Sequence, residues 1–366
     1  MSAFLRPALG ETLYRAVPRP RAQVASRRAV ERILVLIKGP NPTFSYYLES
    51  RLGQAGMPPA IVHSIEDGLP QATDPDGLFV IVCRYLDRRH AIWLERHRHR
   101  LSGIAYFVDD DIASLIAGRE AGLGYRAYVA WFACLQLGRL NRLLDAVWVS
   151  TPRLAEALAP HAGRIEIVPP RPLLADHLPT ERPADRRQLK IAFHASGIHH
   201  REHEFLLPII GRVLGDHGDV LFEVAARGRS RRLWQNAGID PRQLRLLPLS
   251  PWPDYLHSSR SEGADILLVP LLESRLNAAR ADTKRIDACR MGAAAVFSDG
   301  EAYGRCRHRD EILLDDRPQS WIAALDELIA DPARRRAATA ATRIMVEAMA
   351  NISSRLPLPK AEGSIR

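Results

Sequence analysis

Short, nearly uninterrupted apolar runs recur along this chain, and they narrow what it can fold into more than any other feature. Ile33-Leu34-Val35-Leu36-Ile37 is the first, and others fall at Ala60–His63, Leu78–Cys83, Ile104–Val108, Ala146–Val149 and Ile165–Val168. A run without polar alternation suits a strand buried on both faces, which is the condition of a parallel sheet. Segments of helical period lie between the runs, at Ala91–His99, Tyr125–Leu144 and Arg153–Ala159. Strand and helix in this alternation predict a doubly wound α/β domain.

The rhythm breaks and then restarts. Pro169-Pro170-Arg171-Pro172 and the stretch from His177 to Gln188, with Pro179 and Pro183, read as an interdomain linker. A second series follows, with strands at Leu189–Phe193, Val220–Ala225, Leu244–Leu247, Ile266–Val269 and Ala294–Ser298. Helices are expected over Glu204–Leu214, Trp252–Ser259 and Asp282–Arg290, and in a long region from Pro318 onward. The 366 residues accommodate two domains of about 150 residues each. We therefore expect an α/β protein of two tandem Rossmann-like domains whose parallel sheets face a central cleft. The divisions are a basic irregular arm over 1–30, a first domain over 31–175, a linker over 176–188, a second domain over 189–345 and a tail over 346–366. Open α/β sheets bind ligands at the C-terminal ends of their strands.

Charge and cysteine usage limit the function classes. A net charge of +9 makes an anionic partner worth considering, whether nucleic acid, a phosphorylated substrate or an acidic membrane surface. No RNA- or DNA-binding motif accompanies the charge, so nucleic acid is not expected. Residues 1–30 carry six Arg and one acid, Glu11, and are broken by Pro7, Pro18 and Pro20. Such an arm reads as a solvated tail or as a contact with acidic lipid headgroups. Cys83, Cys134, Cys289 and Cys306 form no CxxC pair, which suggests neither a zinc site nor a disulfide framework and fits a reducing compartment. The N-terminus has no apolar signal core, and the longest apolar stretch, Ala127 to Leu137, is too short to span a bilayer. The expected location is cytoplasmic, with the arm in reach of the inner face of the membrane.

The segment richest in chemistry runs from Ala264 to Asp299. A buried strand, Ile266–Val269, feeds a polar loop with Asn277 and Arg280, and a helix opens at Asp282 or Thr283, both good N-caps. A helix N-terminus offers free N–H groups and partial positive charge, which suits a diphosphate. Lys284 adds a cation there, and Asp287, three residues on, shares its helix face and could accept hydrogen bonds from ribose or sugar hydroxyls. After the first strand of the second domain, His194-Ala195-Ser196-Gly197-Ile198-His199 offers small residues that let a backbone approach a ligand. His199, His200 and His203 cluster at that strand end. Arg227 opens a basic stretch, Arg227–Arg232, that reads as a solvated loop whose first residue could reach phosphate.

This pattern resembles the donor-binding signature of GT-B glycosyltransferases of the "glycosyl transferases group 1" superfamily. The features shared are a strand led by Asp265, a loop with Asn277 and Arg280, a helix carrying Lys284 and Asp287, then Gly292 and a strand ending at Ser298. Asp145–Thr151 resembles the element closing the N-terminal domain, and Trp321 with Asp331-Pro332 resembles the closing helices. The resemblance implies transfer of a sugar from a nucleoside-diphosphate sugar to a glycan, lipid-linked or protein acceptor. It implies no cofactor and no metal, with an acceptor-binding first domain and a donor-binding second one. Ser196, Gly197, His199, Arg227, Asn277, Arg280, Asp282, Thr283, Lys284 and Asp287 become the donor-binding candidates. Asp109 and Asp110, after the strand Ile104–Val108, become the candidates for acceptor activation, since deprotonating a hydroxyl needs a carboxylate in reach. One departure stands out: the family's Glu-x7-Glu pair would place its first Glu at Ala279. A catalytically silent GT-B homologue acting as a nucleotide-binding or assembly partner is therefore the second reading. A nicotinamide-dependent dehydrogenase is disfavoured, because Lys38-Gly39-Pro40-Asn41-Pro42 stands where G-x-G-x-x-G would.

Overall fold

A computed structural model describes residues 28–352, apart from 72, 119, 161, 178–187 and 196, together with 355–359. All but the end of the expected basic arm, most of the expected linker and Ser196 lie outside the described residues. The chain divides into two compact units: the first runs to Arg171 and includes Ala279–Ala281 and the C-terminal residues from Ser353, and the second covers Pro172–Ala278 and Asp282–Ile352.

The first unit holds strands β1 (Arg32–Ile37), β2 (Ala60–Ser64), β3 (Leu78–Cys83), β4 (Gly103–Val108), β5 (Ala146–Val149) and β6 (Ile165–Ile167). They form one parallel sheet in the order β2-β1-β3-β4-β5-β6. Burial follows that order. Every residue of β3, β4 and β5 is buried, while the edge strands β2 and β6 are largely open. Helices α1 (Arg88–His97), α2 (Ile112–Ala117), α3 (Leu123–Val129) and α4 (Pro152–Leu158) belong to this unit. Asp87, Asp111 and Thr151 cap α1, α2 and α4 by accepting from backbone N–H groups three residues on. The segment expected as one helix over Tyr125–Leu144 is instead broken, with α3 passing into a π-helical turn over Ala130–Cys134.

The second unit holds α5 (His200–Asp216), α6 (Gly228–Gln235), α7 (Trp252–Glu262), α8 (Lys284–Met291), α9 (Pro318–Ala330) and α10 (Pro332–Asn351). Its strands are β7 (Leu189–His194), β8 (Val220–Ala225), β9 (Leu244–Leu247), β10 (Ile266–Val269), β11 (Ala294–Ser298) and β12 (Ile312–Leu314). All pair in parallel, in the order β12-β11-β10-β7-β8-β9. Counted from its own first strand this is the dinucleotide-fold order, whereas the first unit has the flavodoxin-like one. Each sheet has one point where chain order reverses, between β1 and β3 and between β7 and β10. Separate apolar cores pack under the two sheets, one around Leu34, Val80 and Tyr106, the other around Phe222, Trp234 and Trp321. The basic stretch after β8, read as a loop, is helix α6: Ser230 and Trp234, one turn apart, are buried while its arginines face outward. Among the described residues no helix is long and apolar enough to cross a membrane.

Candidate functional site

At the second unit's reversal point, Lys284 at the start of α8 reaches the end of β7. Its Nζ donates to the His194 carbonyl (2.9 Å) and to Asp287 Oδ2 (2.7 Å). Asp287 is fully buried. Its other oxygen accepts from the Arg290 guanidinium, and the Tyr255 hydroxyl of α7 lies 3.4 Å from Oδ2. Arg290 in turn donates to Ser259 Oγ (2.9 Å) and Asp176 Oδ1 (3.2 Å). Burial works against the Lys284 charge, but Asp287 beside it prevails and raises the ammonium's pKa. The N–H groups of Arg285, Ile286 and Asp287 turn back onto the Asp282 and Thr283 carbonyls, so what the helix start offers an anion is a fixed cation at the positive end of the helix dipole. Gly292, at φ 63°, ends α8 in the left-handed conformation that glycine adopts without strain.

A second set surrounds the small-residue loop after β7. A Cβ on Gly197 would stand 2.6 Å from Arg227 Nε, so only glycine lets this guanidinium lie against the backbone. Arg227 occupies the N-cap position of α6, with no side-chain bond to the helix. His199, just before α5, has Nδ1 3.6 Å from Glu202, and Asn277 donates to the same residue at 3.2 Å. Glu202 thus joins two candidates that are far apart in sequence. Further back along β7, His194 Nε2 and Lys190 Nζ both lie 3.2 Å from buried Glu223 on β8.

In the first unit the carboxylates gather around Arg84, which directly follows β3. Its Nη1 donates to Asp109 Oδ1 (3.2 Å) and lies 3.0 Å from Asp110 Oδ2. Asp109 Oδ2 accepts from Thr43 Oγ1 (2.8 Å). Arg84 is buried and holds a left-handed backbone, φ 66°, the one non-glycine residue with positive φ among those described. Such strain concentrates where surrounding structure dictates geometry. Burial pushes the Asp109 carboxyl above its ordinary pKa; Arg84 pulls it down and Asp110 adds to the rise. Arg280, grouped with this unit, has Nε 3.6 Å from Asp110 Oδ1. Among the described residues no group of three or more His, Cys, Asp or Glu is placed to hold a metal ion.

No protein-family model and no curated relative matches the chain. Solved structures do. HepE of Anabaena, solved with UDP and glucose, superposes with TM-score 0.57 at 11% identity, over 87% of this chain and 95% of that one. The pneumococcal O-GlcNAc transferase GtfA, solved with UDP and GlcNAc, gives 0.51 at 14% identity, over 74% of this chain and 54% of its own. Trehalose-6-phosphate synthase OtsA gives 0.51 at 13%, over 77% and 71%. The fold is GT-B. This chain spans about half the length of GtfA, and most of HepE.

Asp282 does not cap α8; its carboxylate accepts from Arg285 Nη1 (2.6 Å), which also grips Glu311 through two 2.8 Å bonds. Thr283 occupies the N-cap position without a side-chain bond. Arg280 sits beside Asp110. Ala279 packs in the first unit's apolar core, and its carbonyl accepts from Thr151 Oγ1 (2.8 Å). A glutamate at that place would carry its carboxylate into apolar surroundings. The histidine cluster divides: His203 is buried and accepts from the Trp234 indole (2.8 Å), so it is core, and burial lowers its pKa to about 4. Asp111, third of the acidic run, is a helix cap. Sequence reasoning did not pick out Arg84 or Glu202. Their only local signals are a charge set directly after an apolar strand and an acid in the first turn of α5.

Proposed function

We propose that the chain is a glycosyltransferase moving a sugar from a nucleoside-diphosphate sugar to a glycan, lipid-linked or protein acceptor. The observation that carries this reading is Lys284, held by Asp287 at the N-terminus of α8 and at the point where strand order reverses. As the glycosidic bond to the donor breaks, charge grows on the leaving diphosphate, and a preoriented ammonium at the positive end of a helix dipole stabilises it. Gly197 and Arg227 supply a close backbone approach and a second cation. In the first unit, Asp109 takes the acceptor hydroxyl's proton, with Arg84 fixing its orientation. The cations are proposed to serve in place of a metal. Titrating UDP, GDP, TDP, CDP, ADP and NAD by calorimetry, with and without chelator, tests the reading. One nucleoside diphosphate should bind, and chelator should leave its affinity unchanged. Binding of none, or of NAD instead, would overturn it.

The second reading, a silent homologue that binds nucleotide or an assembly partner, is favoured by one observation: Ala279 stands where the family's first glutamate would. It predicts nucleotide affinity without donor turnover, read by release of free nucleotide from the sugar donor.

A further inference from the structure

We propose that the outward face of the helical stretch from Leu123 to Leu135 is a docking surface for an anionic lipid bilayer. This goes beyond the transfer reaction and does not depend on it. Leu123 is 78% exposed, Trp131 64% and Leu135 57%, while Trp148, Trp234 and Trp321 are fully buried. Leu123, Ala127, Trp131 and Leu135 follow one another at intervals of four. In a straight α-helix such positions drift by about 40° per step. The wider π turn over Ala130–Cys134 takes part of that drift back, so the apolar positions stay on one side.

The opposite side is committed to the fold. Val129 and Ala133 are buried, and the Tyr128 and Phe132 rings lie 5.5 and 4.6 Å from the Lys38 ammonium at the end of β1. Nothing among the described residues covers the outward side chains.

Charge selects the occupant. From Ala121 to Leu144 the chain carries three arginines and no acid. Arg139 and Arg142 share one carboxylate, Glu95, at 2.7 and 3.2 Å, which leaves positive charge in excess. A second copy in a two-fold contact would set this face against itself, arginine against arginine. A bilayer with acidic headgroups complements the arginines and takes up the Trp and Leu side chains, the pattern of a helix lying in the interface plane. The stretch is too short to span the bilayer.

The test uses the full chain and sedimentation with vesicles of phosphatidylglycerol in phosphatidylcholine, against phosphatidylcholine alone. Wild type should bind the anionic vesicles, more weakly at high salt. Trp131→Ser with Leu135→Ser should bind at least about tenfold more weakly. Its melting temperature should be unchanged, because both side chains are exposed. Brominated lipid should quench wild-type tryptophan emission and lose that effect in Trp131→Phe. The proposal is overturned if wild type ignores anionic vesicles, or if the double variant binds them as tightly, in which case residues 1–30 do the binding. It also fails if sedimentation equilibrium shows a wild-type oligomer that the variant dissolves, since the face would then belong to a second copy.

Discussion

The two units place charge in opposite ways at the C-terminal ends of their sheets. In the first, one guanidinium, Arg84, bridges two carboxylates, Asp109 and Asp110, with Arg280 a more distant second partner. In the second, one carboxylate, Asp287, lies between two cations, Lys284 and Arg290. The pattern repeats nearby, where Glu223 stands among Lys190, His194 and Arg245. A site rich in carboxylate suits removal of a proton from a hydroxyl, and a site rich in cations suits a diphosphate. Two Rossmann-like units of different strand order have thus been given complementary electrostatics. The backbone supplies the edge, and the side chains at that edge decide the sign.

The hardest blow to this contrast would fall on Asp109. Asp109→Asn keeps the shape, still accepts from Arg84 through its remaining oxygen and turns an amide N–H toward the Thr43 hydroxyl, but removes the base, so turnover should fall by about 10²–10⁴-fold. The protein should remain folded with nucleotide affinity intact. Normal turnover in this variant would mean that the acidic pair is structural and that the first unit has no catalytic carboxylate there.

The next effect is on stability. Asp287 is buried among cations, so Asp287→Asn leaves Lys284 without a carboxylate partner and Arg290 with Asp176 alone, and should cost about 3–5 kcal/mol in a denaturant titration. The sequence alone suggested a side chain open to ligand, whose loss would weaken nucleotide binding and spare the fold. An unchanged midpoint with weakened binding would restore that view. Lys284→Ala divides the roles further. It removes a charged contact, so affinity for the preferred nucleoside diphosphate should drop by roughly 1.5–3 kcal/mol and turnover by more.

How far these arrangements were legible depended on distance along the chain. The strands Leu78–Cys83, Ala146–Val149, Val220–Ala225, Ile266–Val269 and Ala294–Ser298 are read to the residue, because a buried parallel strand is a local apolar run. Helix α6 was missed because its buried stripe has two members, Ser230 and Trp234, under a row of arginines. Lys284 and Asp287 could be paired from their spacing. That Tyr255 and Arg290 close Asp287 from water could not, since Tyr255 comes from another helix. Arg84 and Glu202 draw their meaning from partners 25 and 75 residues away, Asp109 and Asn277, which only the fold brings near.

The smallest effect is also the one that compares the units most directly, because their buried carboxylates should answer pH with opposite sign. Burial alone would raise the Glu223 pKa, but hydrogen bonding and charge from His194 and Lys190 prevail and bring it down to about 2. A depressed carboxylate stabilises the fold above its unfolded value and loses that contribution as pH falls, here from about 4.5 towards 2. Asp109 is shifted the other way, above its ordinary 3.8, mainly by burial. Ionising it costs stability, so its contribution is full below the ordinary value and is lost as pH rises through the raised one. Melting temperatures from acid to neutral pH, for wild type, Glu223→Gln and Asp109→Asn, separate the two. Glu223→Gln should be less stable than wild type at neutral pH and lose less on acidification. Asp109→Asn should hold its stability better than wild type as pH climbs from the acidic side. If both variants changed the profile in the same direction, the contrast between an acid-rich first site and a cation-rich second one would not describe how these charges act.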